Sequence, residues 1–540
     1  MAENKNVSRR DFLKNSGVLA GSAVLGATLL GGCTQPAQTP AASAQGIEPW
    51  VTTHEPPANW DRTCEVLVIG GGGGGCFAAL EAHAAGSEVL LLEASDVLRG
   101  ETAICGGGFG GCQTSIQKAQ GFEDDPDLFV ADWLEAGDEF NDPEIIRMVV
   151  EKSGETIERL IGYGAKFMLF DPPGKYGHTA VPRVHWCLPM GSGKPVMEVL
   201  QATIAKEGVE VLYKTPAQKL YRQANGRVVG ALAQDASGNH INIEASKAVV
   251  LACGGPGADF NLLENYMPVL KHLRAKSTKF LCGTWPMNLG TIFADAVAIG
   301  AAYSNFAPYY SAAMTEAGIT YSEGTEAGLM IPPVLFSQEG SICVSSEGKR
   351  FANEEDANQM IGRGNWTKLP GMSIACIMDS IILDLPSTKI FVKDRLGIDK
   401  LIADGNKSVA KADTVEELAG KLGIDPAELK NTVEKWNEYA AAESDPDFGR
   451  KNLGPGIKAP PYYGVNIYAQ ISMLKGGIKV NTKCQVLDNY AKPIPGLYAA
   501  GEIASGQVQG SARIHLGGGG TAIALSMGLI SGKNAAAETV

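Results

Sequence analysis

Cys64-Glu65-Val66-Leu67-Val68-Ile69-Gly70-Gly71-Gly72-Gly73-Gly74-Gly75-Cys76-Phe77-Ala78-Ala79-Leu80 is the stretch that decides the fold. An apolar run from Cys64 to Ile69 breaks into six glycines, and an Ala- and Leu-rich segment from Cys76 to Ala85 follows. The pattern predicts strand, tight turn and helix. Gly70, Gly72 and Gly75 satisfy G-x-G-x-x-G: the first permits the turn, the second lets backbone approach a pyrophosphate, and the third allows close packing of helix on strand. The helix N-terminus then faces phosphate. A second run, Glu88 to Leu92, ends in Glu93, where a carboxylate can accept hydrogen bonds from ribose hydroxyls. With strand, helix and acid all present, the glycine pattern reads as a dinucleotide site, its residues being Gly70, Gly72, Gly74, Gly75, Glu93 and Ala94.

Composition narrows the class. The 540 residues, 45% hydrophobic and 19% charged, suit two or more folded domains. Gly numbers 66, about 12% of the chain, and the excess falls in clusters where backbone must approach a partner closely. The formal charge of -13 excludes a nucleic-acid surface, which needs clustered Lys and Arg. Eleven scattered Cys contain no C-x-x-C, so no haem attachment site, iron–sulfur cluster or zinc ligand set is written locally, and no metal is expected. Most of them are expected to be buried free thiols.

Residues 1–32 read as an address. Ser8-Arg9-Arg10-Asp11-Phe12-Leu13-Lys14 precedes a small-residue apolar stretch, Gly17 to Leu30, in the manner of an export signal. The paired arginines resemble the twin-arginine type, whose cargo crosses the membrane already folded. Leu30-Gly31-Gly32-Cys33 looks like a lipobox, which would anchor the mature chain at Cys33 on the cell surface or the periplasmic side of the cytoplasmic membrane. Residues 33–60, rich in Pro, Ala, Thr and Gln, read as a tether.

The dinucleotide motif alone leaves nicotinamide and flavin open. Three further segments bear on the choice: Leu98 to Gly108, Val249 to Gly255, and Gly496-Leu497-Tyr498-Ala499-Ala500-Gly501-Glu502, which precedes Gly517 to Gly520. Together they resemble the flavoprotein family of fumarate reductases, succinate dehydrogenase flavoprotein subunits and ketosteroid dehydrogenases, over about residues 62–535. The resemblance implies FAD. It also implies an α/β fold: a Rossmann-like FAD-binding domain, parallel sheet plus β excursion, carrying an inserted α+β cap. The boundaries expected are 61–260 for the first part of the FAD domain, 261–400 for the cap, 401–460 for a helical segment and 461–540 for the returning part. The further FAD residues it implies are Thr102, Gly106, Gly107, Gly108, Ala217, Ala252, Gly254, Gly501, Glu502, Gly518, Gly519, Thr521 and Ala522. Glu502 would contact the ribityl chain, and the helix opening at Gly519 would aim its dipole at the flavin.

The same resemblance shows where the pocket departs. Counting from Gly348-Lys349-Arg350-Phe351-Ala352-Asn353-Glu354, the place of the family's acidic arginine falls on Asn358, which is a poor proton donor. The place of the last substrate arginine falls on His515. A small dicarboxylate such as fumarate is therefore not the substrate expected. The replacements expected are His515 to polarise a carbonyl, Arg513 to take the lost arginine's part, Lys475 beside the flavin, Arg363 as a displaced acid, and Tyr309 or Tyr310 as a phenolic proton donor. Cap aromatics, among them Trp285, Tyr303, Phe306, Tyr321, Phe336 and Trp366, suit a bulky apolar substrate or serve as core. His185-Trp186 would line the substrate mouth or be structural.

The reading is an exported FAD-dependent oxidoreductase that reduces an activated C=C bond, an α,β-unsaturated ketone or aryl enoate, in a respiratory role. Its electrons would come from a membrane quinol-oxidising or multihaem cytochrome partner, because the chain writes no haem motif of its own. Two alternatives stand beside it: a ketosteroid-type dehydrogenase running oxidatively, and a non-catalytic flavin-binding lipoprotein.

Overall fold

A computed structural model describes residues 51–540 apart from 53, 170–177, 179–180, 191, 277–280, 283–286, 314–338, 357–367 and 511–515, with backbone alone at 281–282, 305, 307–313, 390–391, 395 and 469–473. The decisive stretch folds as read. Strand Arg62–Ile69 runs into the glycine turn, and helix Gly73–Ala84 follows with nearly every residue buried, as its all-round apolar sequence requires. Parallel pairs place Arg62–Ile69 between Val89–Leu92 and His240–Leu251, giving the order Gln485–Leu487, Pro493–Ala499, His240–Leu251, Arg62–Ile69, Val89–Leu92, Glu210–Leu212. Ala217–Arg222 and Val228–Gln234 add the β excursion by antiparallel pairing onto His240–Leu251. The C-terminal strand Pro493–Ala499 thus enters the sheet beside a strand some 250 residues earlier in the chain, and the FAD lobe is discontinuous in sequence.

A second sheet contains Leu281–Cys282, Tyr462–Ile478, Ser373–Asp379 and Ile342–Ser345 in that order, with Tyr303–Ala313 and Val409–Ala412 also paired to Tyr462–Ile478. Tyr462–Ile478 falls in the region assigned from sequence to the returning FAD lobe. It pairs within the second sheet from Tyr462 to Ile478, and near its end Gly477 also bridges to Ala504. One strand serves both lobes, so no composition shift marks a boundary there. Likewise, the segment 401–460, expected to be helical, contains strand Val409–Ala412 before helices Val415–Leu422 and Pro426–Ala441. Thr414 caps the first of these by accepting from the Glu417 amide.

Helix against helix, small residues set the spacing. A Cβ at Gly74 would lie 2.8 Å from Ala524 O, and one at Gly528 would lie 2.3 Å from Gly74 O. The dinucleotide helix and the C-terminal helix Gly519–Ala536 therefore pack backbone to backbone, and Gly74, expected to touch cofactor, faces this contact. Among the described residues nine cysteines form no disulfide with one another, and seven of them are buried.

Candidate active site

The cradle is made of main chain. Gly70 has φ +106°, and a Cβ there would stand 2.5 Å from Ala252 O. A Cβ at Gly75 would come within 1.8 Å of Gly70 O, so helix and strand approach only because both residues are glycine. Glu93 closes the edge: Gly71 N donates to its Oε2 at 2.9 Å and Ser95 N to its Oε1 at 2.7 Å. Thr215 N donates to Glu93 O, which brings the segment leading to Ala217 alongside Glu93 and Ala94. Gly73 N donates to Thr102 Oγ1 at 3.1 Å, tying the second glycine cluster to the first turn of the helix.

The C-terminal helix closes the other side. Gly518, at φ +71°, accepts from Gly110 N at 3.1 Å, and Thr521 Oγ1 donates to Gly108 O at 3.0 Å. The helix therefore opens against the Gly106 to Gly108 segment, with the positive end of its dipole at the site. Residues expected from widely separated segments, Gly106 to Gly108, Ala252, Gly254 and Gly518 to Ala522, converge here.

Glu502 joins the two lobes. Its Oε2 accepts from Gly255 N at 2.9 Å and its Oε1 from Leu474 N at 2.8 Å. Asn288 Nδ2 reaches Glu101 Oε1 at 2.9 Å and Glu502 Oε2 at 3.4 Å. Burial pushes the Glu502 carboxyl above its ordinary range, against the pull of those two amides. Glu101 and Asn288 were not singled out from sequence. Glu101 had a visible signal, an acid inside a glycine cluster, whereas Asn288 had none, because only the fold brings it to Gly254.

Ser505 Oγ donates to Leu474 O and Gly476 O, so the strand carrying Lys475 is tied to the turn after Glu502. Lys475 is 3% exposed, and burial lowers its ammonium from 10.5 to about 7. Of the expected catalytic side chains it alone lies among those described. Tyr309 and Tyr310 are described as backbone, paired with Met473 and Ile471; Arg363, Arg513 and His515, and the place of Asn358, lie outside the described residues. So do Trp285, Tyr321, Phe336 and Trp366. Tyr303 and Phe306 stand edge-on to Tyr266 and Phe293, with centroids 5.2 to 6.3 Å apart, as parts of one aromatic cluster.

His185 is structural. Its Nδ1 faces the carbonyls of Arg183 and Phe109, so that nitrogen donates and Nε2 accepts from Thr114 Oγ1 at 2.8 Å. Burial holds its pKa at about 4. Beside it, fully buried Arg183 bonds Asp124 and Asp132 and lies 4.6 Å over the Phe129 ring. His178 Nε2 donates to Gly517 O at 2.9 Å, linking this cluster to the turn that starts the C-terminal helix.

Several openings fit FAD. A Cβ at Gly72 would meet nothing nearer than Gly100 Cα at 4.0 Å, one at Gly106 nothing within 4 Å, and one at Gly501 nothing nearer than Ala524 at 3.7 Å. These backbones border open space between a pyrophosphate turn, a ribose acid and a helix dipole, the donor set that a flavin dinucleotide requires.

Such a cradle, split in sequence and joined to a largely antiparallel second lobe, defines an FAD-dependent oxidoreductase. The model of the FAD binding domain family matches residues 65–520, and the chain belongs to that family. It is 30% identical over 487 residues to urocanate reductase of Eggerthella lenta, covering 89% of this chain and 76% of the relative. Among solved structures, the open conformation of a flavocytochrome c3 fumarate reductase aligns with TM-score 0.73 at 28% identity, over 89% of this chain and 79% of the other. A 3-ketosteroid-Δ4-(5α)-dehydrogenase from Rhodococcus jostii RHA1 aligns with TM-score 0.66 at 25% identity, over 89% and 98%. The chain is a fumarate reductase-like flavoprotein.

Proposed function

We propose that this flavoprotein reduces an activated C=C bond in a bulky, largely apolar substrate, an α,β-unsaturated ketone or aryl enoate, rather than fumarate. The observation that carries the reading is Lys475: a lysine buried beside the Leu474–Glu502 junction, able to hold or release a proton near pH 7. Bound FAD supplies hydride to one carbon of the double bond. The other carbon needs a proton, and Lys475, Tyr309 or Tyr310 supplies it where the arginine of the fumarate pattern is replaced by Asn358. The Tyr303–Ala313 strand runs antiparallel to the one carrying Lys475, with Ala307 opposite it, so the two candidate phenols lie a few residues along the same ladder. His515 polarises the carbonyl, Arg513 neutralises an anionic substituent, and Arg363 is the reserve acid. Two features support the reading: similarity to a urocanate reductase, and the change of at least two positions by which the fumarate pattern handles carboxylate.

Export with the twin-arginine leader, anchoring at Cys33 and a membrane quinol-oxidising or multihaem cytochrome donor belong to the same proposal. The test is a substrate panel with reduced viologen as electron donor. Turnover of enones or aryl enoates, weak turnover of fumarate and none with NADH is expected; fumarate as best substrate, or efficient NADH use, overturns it. Lys475→Met is expected to lower kcat about 10²-fold or more if Lys475 is the acid.

The likeness to the ketosteroid dehydrogenase favours one second reading, dehydrogenation of a C–C bond beside a ring ketone. Turnover of saturated 3-ketosteroids with a quinone acceptor, and of no enoate with viologen, would select it.

A further inference from the structure

Cys343 and Cys376 lie opposite each other in neighbouring antiparallel strands of the second sheet, Ile342–Ser345 and Ser373–Asp379. The backbone shows which kind of opposing pair they form. Cys343 N donates to Glu354 Oε1 at 3.2 Å and Ser345 N donates to Lys349 O at 2.9 Å, both pointing away from the neighbouring strand. In an antiparallel ladder a residue's N–H and C=O point to the same side, so Cys343 sits in a non-hydrogen-bonded pair. There the Cα atoms are about 4.5 Å apart and the side chains come closest. That separation lies within the roughly 4.4–6.8 Å that a disulfide spans. The two sulfurs already stand 3.2 Å apart, one thiol donating to the other. Cys64, Cys76, Cys105 and Cys187 instead direct their thiols at backbone carbonyls.

We propose that Cys343 and Cys376 are a reversible redox pair, oxidised by thiol–disulfide exchange to a disulfide that staples the edge strand to the sheet. The oxidant is a disulfide, either the active-site disulfide of an exported thiol oxidase or a low-molecular-weight one. One cysteine thiolate displaces a thiol from it, and the second cysteine then displaces the other half. Two S–H bonds are lost, one S–S bond forms, and the oxidant leaves reduced as two thiols. Both cysteines are buried, and the facing thiol together with burial keeps Cys343 protonated. Oxidation therefore waits on opening. Among the described residues Ile342–Ser345 is the last strand in the sheet order, paired with Ser373–Asp379 on one side and bridged from Val344 to Arg350 on the other, so it is the strand whose fraying exposes the pair. The loop so closed contains Arg350 and Glu354, and with them Asn358 and Arg363. The inference does not depend on which substrate is reduced.

The test equilibrates the intact flavin-loaded protein in mixtures of reduced and oxidised dithiothreitol, quenches with N-ethylmaleimide and maps peptides by mass. A Cys343–Cys376 linked peptide, lighter by two hydrogens, free of label and lost again on reduction, is expected in the oxidising mixtures. The thermal midpoint should rise on oxidation in the parent chain and stay unchanged in C343A/C376A. Recovery of both cysteines alkylated after prolonged equilibration overturns the proposal, as does linkage of either one to a different cysteine. An oxidation-dependent rise of equal size in C343A/C376A overturns the staple as its cause.

Discussion

The flavin cradle and the edge of the second sheet bury polar groups in opposite ways. In the cradle, amides of Gly71, Gly73, Ser95, Gly255 and Leu474 converge on three side-chain acceptors, Glu93, Thr102 and Glu502, and the shape depends on side chains that are missing. At the sheet edge, side chains satisfy one another. Arg350 spans Glu354 and Asp445, Arg450 donates to Ser341 O and lies near Glu354, and both guanidiniums stack on Trp436 at 4.5 and 4.9 Å. The segment Gly348 to Glu354, read from sequence only as a landmark for the acid, is itself a structural lock. The first region should be intolerant of volume and the second of charge removal.

The sharpest break of that contrast is Gly75→Val. A Cβ there stands 1.8 Å from Gly70 O, so strand and helix must separate; no flavin-bound protein is expected, checked by flavin absorbance and a far-UV melt. Arg350→Met comes next. It leaves Glu354 and Asp445 buried without their main cation and should cost about 3–5 kcal/mol in urea unfolding. Bound flavin per chain at 25 °C should be unchanged, which separates the two regions.

Lys475 tests the seam between them. Its folded pKa of about 7 lies below the unfolded value of 10.5, so between these pH values the unfolded chain binds a proton that the folded one does not. Stability of the parent should therefore rise with pH across that window, by an amount on the order of a few kcal/mol, and Lys475→Met should abolish the rise. Should Lys475 be the proton donor, reductive kcat should fall above pH 7. Glu502→Gln places an amide donor against Leu474 N or Gly255 N and should weaken FAD binding by about 1–3 kcal/mol, measured by titrating the flavin-free protein. Smallest is Thr414→Ala, which removes a helix cap and should cost about 1 kcal/mol in a thermal melt.

Much of the cradle was legible because its chemistry is local. Gly70, Gly72, Gly75 and Glu93 fall within one strand-turn-helix-strand unit, where spacing in sequence is spacing in space. The second lobe was less legible: Tyr462–Ile478 pairs with strands 50 to 189 residues away, and no local pattern announces such partners. Arg183 and His178 were hidden for the same reason. Their partners Asp124, Asp132 and Gly517 are distant in the chain, and nothing in a lone Arg or His marks it as buried.

From its residues alone, the chain determines a glycine turn with its flanking strands and helix and the acid at Glu93 that ends the second strand, because each follows from backbone conformations that glycine permits and periodicities that only one element satisfies, while the glycine-opened C-terminal helix was implied by the family resemblance. Tertiary structure decided that Glu502 would gather Gly255, Leu474 and Asn288, that Lys475 would lose its water, and that Cys343 would meet Cys376. Those outcomes are set by long-range strand pairing and by desolvation, which exist only once the lobes have closed on each other.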